Sequence, residues 1–248
     1  MGTGTVLKSY KVDDVYYNIA LTCAHVVDTD LTCKVGVNQY KNWSEYDSAS
    51  TYAARVYYAD FETDMALVFF VTPKKLCTAT ISFGEKLYIG TKVFSFGLGD
   101  GTAVPRLNSG EVTGVNYRSK SLSERTFHRI NVPTISGDSG SGSWLDYGLV
   151  GIRAFVIDKS GRPLDHVAFM MSIDLLKDMS KDVSGNLDWV WSNSDDDFSE
   201  LSILLLTSPV MEKADPSEEE GYYYGNVPPP VDDDGYIPDA PPPPDDDC

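Results

Sequence analysis

No stretch of the 248 residues is apolar over the roughly 20 positions that a bilayer crossing needs. The longest such run near the end, Leu201 to Met211, has Ser, Thr and Pro inside it, so no membrane segment is expected in this chain. The start, Met1-Gly2-Thr3-Gly4-Thr5, lacks a basic segment followed by an apolar one, so no signal peptide is expected either. Positive charge is scarce: 20 Lys and Arg stand against 37 Asp and Glu, a net charge of −17. That balance argues against wrapping nucleic acid, which needs clustered cations. The four cysteines, Cys23, Cys33, Cys77 and Cys248, are too few and too irregular for a disulfide scaffold. They also lack the paired close spacing of a zinc site, so no metal or cofactor is expected. They read as reduced thiols in an intracellular setting, with a Cys23–Cys33 bridge as the one alternative. Histidine is rarer still, with three in the chain, so any imidazole base has few candidates.

What is present is an ordinary globular composition, 42% apolar and 23% charged, with a strong shift along the chain. Residues 212–248 hold twelve acids and a single base, Lys213, together with nine of the fourteen prolines. Such a segment cannot bury enough apolar surface to offset its ordering entropy and reads as a disordered acidic tail. Residues 184–211 mix Trp189, Trp191, an acidic run and the apolar Leu201 to Leu206; their role stays open. Before them, about a dozen short β-branched or apolar runs alternate with turn residues. They include Val6 to Tyr10, Val15 to Leu21, Cys33 to Val37, Tyr52 to Tyr58, Met65 to Val71 and Lys92 to Phe96. Gly110 to Tyr117, Phe127 to Val132, Gly142 to Leu145, Leu149 to Ile157 and Val167 to Met171 follow. This pattern predicts an all-β sandwich or barrel. One helix is expected after Ser172, with Asp174 in its first turn and Ile173, Leu175, Leu176 and Met179 on one face.

Three elements carry chemistry. Ser136-Gly137-Asp138-Ser139-Gly140-Ser141-Gly142 places a hydroxyl among glycines, where a tight turn can aim the amides of Gly137 and Ser139 at one point. A serine is a weak nucleophile and needs a neighbouring base. Leu21-Thr22-Cys23-Ala24-His25-Val26-Val27 offers one at the end of an apolar strand. Thr63-Asp64-Met65-Ala66-Leu67-Val68 puts a carboxylate at the head of another, where it can orient an imidazole. Alone, each has a plain structural reading: a Ser/Gly turn, a buried histidine, a strand-capping aspartate. His128 reads as a strand residue near the cleft and His166 as a surface residue.

Taken in chain order, the three resemble a trypsin-like serine protease of the chymotrypsin fold. Thr22-Cys23-Ala24-His25-Val26-Val27, Asp64-Met65-Ala66-Leu67, Asn108-Ser109-Gly110-Glu111-Val112 and Gly137-Asp138-Ser139-Gly140 are similar to the HtrA-type branch. The stretch Val167 to Ser172 leading into a helix resembles the end of such a domain. The resemblance spans about residues 2–181. It implies two antiparallel β-barrels, about 1–85 and 88–171, with the helix at about 172–181, within a protease domain of residues 1–183. It implies catalysis by His25, Asp64 and Ser139, with an oxyanion hole from Gly137 and Ser139. Two departures are expected: the sequence opens at the strand just before the histidine-bearing one, as a fragment of a longer precursor would, so a preceding strand of the first barrel is not expected within it, and an acidic tail stands where a PDZ-like domain would follow.

The same resemblance places the first specificity subsite at Thr134, Arg153 and Phe155. Picornavirus-type main proteases and related Glu-specific enzymes carry Thr or Ser and His at the first two offsets; here Arg153 replaces the histidine. An Arg fork binds carboxylates, so Glu or Asp before the scissile bond is expected. The alternative has Arg153 outward, paired with Asp158 or Asp165. The implied function is a serine endopeptidase acting on a protein or polyprotein, in the host cytoplasm if viral. Glu218 to Gly225, with three tyrosines, resembles a genome-linked segment of viral polyproteins, and Glu220–Gly221 would suit self-processing. The rival reading is an inactive protease-fold binding module that presents the tail, through its polyproline stretches, to a partner.

Overall fold

The computed structural model describes residues 1–27, 32–42, 45–61, 63–99, 106–119, 122–154, 168–182 and 190. Residues 184–189 and 191–248, including the whole acidic tail, lie outside them, as do Phe155, Asp158, Asp165 and His166.

The first unit is an antiparallel sheet of five strands: β1 (Thr5–Val12), β2 (Val15–Thr22), β3 (Thr32–Asn42), β4 (Glu45–Asp60) and β5 (Met65–Thr72), in the order β1-β2-β5-β4-β3. β1 and β2 form a hairpin closing at Val12↔Val15. Its turn uses Asp13 at φ 54°, a left-handed position that aspartate tolerates better than most residues. The second unit is a closed six-strand barrel. Its strands are β6 (Lys92–Gly97), β7 (Arg106–Ser119), β8 (Leu122–Ile130), β9 (Gly142–Leu145), β10 (Gly148–Ala154) and β11 (Ala168–Ser172). The fold class is therefore the expected one, mostly β and chymotrypsin-like. The first unit differs in detail: its ladder is a five-stranded sheet with no closing pair among the described residues. Among the described residues two helices complete the set, a single turn α1 (Ala24–Val27) and α2 (Leu175–Asp182).

β5 shows why the halves hold together. Its sequence, MALVFFVT, is apolar without alternation because both faces are covered. Met65, Leu67 and Phe69 point to one side, into a cluster shared with Leu149, Ile152, Met171 and Ile173 of the barrel region. Ala66, Val68 and Phe70 point to the other, into the first unit's own core with Ala20, Ala54 and Val56. A third cluster, including Val93, Val112, Ile130 and Met170, fills the barrel. The connection from residue 73 to 91 stitches the two units. Ala79 donates its amide to Val6 O at 2.8 Å, while Leu149 N donates to Thr80 O (2.8 Å) and Ser82 N to Leu149 O (2.9 Å). α2 docks on the same connection. Ser172 Oγ accepts the Asp174 amide at 3.3 Å, and Asp174 Oδ1 accepts the Gly84 amide at 2.8 Å. Leu176 and Met179 enter the shared cluster.

Candidate active site

β2 runs apolar to Thr22, and α1 then turns the chain so that Cys23 and Ala24 are buried while His25 is partly exposed. Asp64 lies at the head of β5 with φ 53°. Its left-handed backbone is supported by the preceding turn, in which Thr63 Oγ donates to Asp60 Oδ2 at 2.7 Å. The outcome is a tight dyad: His25 Nδ1 sits 2.8 Å from Asp64 Oδ2 and 2.9 Å from Oδ1. The His25 amide donates to Oδ1 at 3.0 Å, and the Ala24 amide to Asp64 O at 3.1 Å. One backbone donor thus fixes the carboxylate and a second fixes the Asp64 main chain before the ring uses the carboxylate. With Nδ1–H donated to Asp64, Nε2 is left as the acceptor, the tautomer a general base needs.

The Ser139 loop is brought to the same place from the barrel. Gly140 adopts φ +84°, and a side chain there would strike Thr3 O and Thr22 Oγ, so only glycine lets the loop lie against the end of β2. The Gly2 backbone lies against both Val26 and Ser139 O. Thr3 is the fastener. Its amide donates to Ser139 O (2.8 Å), and its hydroxyl donates to Gly137 O (2.8 Å) and accepts from Leu98 N (3.3 Å). Its own carbonyl accepts from Thr22 Oγ at 2.7 Å. The other ends of those two peptide planes are tied as well: Asp138 N donates to Ile135 O (3.1 Å) and Gly140 N to Arg153 O (2.8 Å). Because peptide groups are planar, the Asp138–Ser139 peptide between them, which carries the Ser139 amide, is held in direction, and the Gly137 amide lies immediately before the first of the two.

Under the loop lies a buried ionic cluster. Asp138, fully buried, accepts from the amides of Gly99 (3.1 Å) and Ile135 (3.0 Å). Its Oδ2 stands 3.1 Å from Arg106 Nη2 and 3.2 Å from Arg153 Nη2. Arg153 is wholly buried and donates through Nη1 to Pro133 O at 2.9 Å. Its side chain therefore points inward, and the outward alternative is set aside. Burial lowers its pKa to about 10, so it remains a cation at neutral pH. Two guanidiniums against one carboxylate leave a positive excess. Arg153 Nε and Nη2 and Arg106 Nε make no aligned hydrogen bond. Thr134 is buried beside this cluster's Pro133 and donates to Val132 O at 2.9 Å. Phe155, the third expected subsite residue, falls outside the described residues.

His128, expected near the cleft, is a buried strand residue opposite Met170, and burial pushes its imidazole below the usual histidine range. Cys23, Cys33 and Cys77 are free thiols, so the Cys23–Cys33 alternative is not adopted. Three contributors escaped the sequence reading: Thr3, Arg106 and the Cys23 thiol. Cys23 Sγ lies 3.4 Å from Arg153 O, and its Sγ, a His25 ring nitrogen and an Asp64 oxygen lie within 4.8 Å of one another. Thr3 and Arg106 belong to no motif, and Cys23, though inside the histidine motif, gives no sign of its partners there; each contribution becomes visible only when distant segments meet.

A mostly-β fold, with the ends of two strands and a glycine-bounded serine loop meeting between its halves, defines a peptidase-type architecture. Residues 2–152 match the profile of the trypsin-like peptidase domain, and the chain belongs to that family. Among solved structures it is similar to "HtrA-type protease AlgW with decapeptide", with 18% identity and a TM-score of 0.56, over 72% of this chain and 50% of that one. The chain thus spans half the length of that protein, and the likeness is one of fold. The search of curated proteins found no match. Among the described residues, no helix is long and apolar enough to cross a membrane.

Proposed function

We propose that this chain is a serine endopeptidase. His25 Nε2 takes the proton of Ser139 Oγ as the hydroxyl attacks a substrate carbonyl carbon. Asp64 stabilises the resulting imidazolium, and the amides of Gly137 and Ser139 receive the oxyanion. His25 then gives the proton to the leaving amine, and water repeats the cycle on the acyl-enzyme. The observation that carries this reading is the convergence itself. A dyad closed at 2.8 Å lies three residues beyond Thr22, and the Ser139–Gly140 peptide rests on Thr22 and Thr3.

For the residue before the scissile bond we propose Glu or Asp. Support comes from the positive excess at Asp138, where the partly exposed Arg106 is the member a substrate carboxylate would meet, while Arg153, wholly buried against Asp138 and Pro133 O, would supply charge from beneath. The substrate class we assign is a polyprotein, with Glu220–Gly221 of this chain as one candidate junction.

A fluorophosphonate probe tests the reaction: wild type is labelled, and Ser139→Ala and His25→Ala are not. An unlabelled, folded wild type would leave the binding-module reading in its place. A peptide panel varied before the scissile bond tests the subsite; fastest cleavage after Leu, Phe or Lys rejects it. Intact mass after long incubation, against Ser139→Ala, tests self-processing.

A further inference from the structure

We propose that Cys23, His25 and Asp64 form a zinc site that reversibly shuts the catalytic dyad down. The inhibitory part rests on the endopeptidase reading above; the metal binding does not. One thiol sulfur, one imidazole nitrogen and one carboxylate oxygen lie within 4.8 Å of one another. A tetrahedral zinc places such atoms about 3.3–3.8 Å apart, with bonds of about 2.0–2.3 Å. Small side-chain rotations bring the three from one spacing to the other. The donor set suits the ion, since thiolate and imidazole favour zinc over magnesium or calcium.

The surroundings meet the other requirements of such a site. Cys23 is the floor, fully buried. His25 and Asp64 are the rim, with side chains 20% and 16% exposed, so an ion enters from the cleft and keeps its fourth position there for water. The outer shell is already in place. The His25 amide holds Asp64 Oδ1 at 3.0 Å, and the bond that the Cys23 thiol donates to Arg153 O at 3.4 Å is the one given up when the sulfur binds the ion. Thiolate and carboxylate together balance the two charges of the ion.

The consequence for chemistry follows from the ring. The nitrogen facing Asp64 is Nδ1. Zinc there replaces the Nδ1–H···Oδ2 hydrogen bond, and the ring proton moves to Nε2. A protonated Nε2 cannot accept the proton of Ser139. The thiol proton leaves to solvent, so one proton is released per ion bound.

The test uses the full chain with Cys33→Ser, Cys77→Ser and Cys248→Ser, so that Cys23 is the single thiol. Cobalt(II) is the spectroscopic probe. One equivalent should give a thiolate-to-cobalt absorption band, lost in Cys23→Ala, in the volume-conserving Cys23→Ser and in His25→Ala. Zinc chloride should slow fluorophosphonate labelling of Ser139, and EDTA should restore it. Losing Cys23 should raise the zinc concentration needed by at least about tenfold, the scale on which even outer-shell losses act. Absence of the band, or zinc sensitivity in the Cys23 variants equal to that of the Cys23-bearing parent, overturns the site. Absence of labelling without zinc overturns the endopeptidase reading instead, and the cobalt band still decides the metal site.

Discussion

Asp138 and Arg153 form an ion pair at 3.2 Å with both side chains wholly withdrawn from solvent, directly beneath Ser139. The same arginine holds Gly140 through its carbonyl. One residue of β10 therefore supports the Ser139 loop twice, by charge and by backbone.

Removing that cation should be costly in a way that removing its neighbour is not. Arg153→Met leaves a buried carboxylate with one remaining cation, and breaking a buried pair costs about 3–5 kcal/mol. Arg106, whose side chain is 38% exposed, should cost about 1 kcal/mol or less as Arg106→Gln. Urea unfolding of the two variants measures the difference. Equal losses would show that the loop rests on its backbone ties alone.

Thr3 makes the opposite kind of contribution, small in stability and larger in rate. Thr3→Val keeps the shape but loses the hydrogen bonds to Gly137 O and Leu98 N, worth about 0.5–1.5 kcal/mol each. The amide bond to Ser139 O survives. The fluorophosphonate labelling rate should fall roughly tenfold or more, about what such an energy costs in a barrier, while the fold persists.

Asp64→Asn separates orientation from folding. Asparagine accepts the left-handed backbone at φ 53° and can still take the His25 amide on its oxygen. Its NH2 group, however, favours the imidazole tautomer with the proton on Nε2. Peptide hydrolysis should drop about 10⁴-fold with circular dichroism unchanged. A loss under tenfold would mean that the carboxylate is not the orienting group.

His128 should shape the acid limb of the stability curve. Burial lowers its pKa in the folded chain, with Asp174 opposing in part. Above about pH 6.5 the ring is neutral in both states and contributes no pH dependence. As pH falls below that, the unfolded chain takes the proton first, so stability is lost until the folded pKa is also passed. His128→Gln should flatten this part of the curve; an unchanged slope there would assign the acid sensitivity to other groups.

The sequence made the chemistry-bearing residues readable because nucleophile, base and carboxylate each sit in a short local pattern: glycines around Ser139, an apolar strand before His25, an apolar strand after Asp64. Short segments bounded by turn residues, such as β9, were readable for the same reason. The long strands were not: β4 begins at Glu45, far before the apolar Tyr52 to Tyr58 segment, because its first residues, EYDSAST, are mostly polar in sequence and still continue the ladder with β3. The support under the loop was hidden too. Arg106 meets Asp138 across 32 positions and Thr3 meets Gly137 across 134, and nothing near any of them in the chain marks such a partner. Arg153 was singled out as a subsite residue, but its neighbour Asp138 was read only as part of the serine motif.

The contrast between ring and open sheet has a practical side. The barrel has no edge to offer, and β1 is shielded by the amides of Leu76 and Ala79. β3 pairs only with β4 among the described residues, leaving eleven residues of ladder along its outer side. Concentrated stocks of this protein should clump by docking one molecule's β3 beside another's, and a lysine or proline placed on that margin is the first remedy for keeping it in solution.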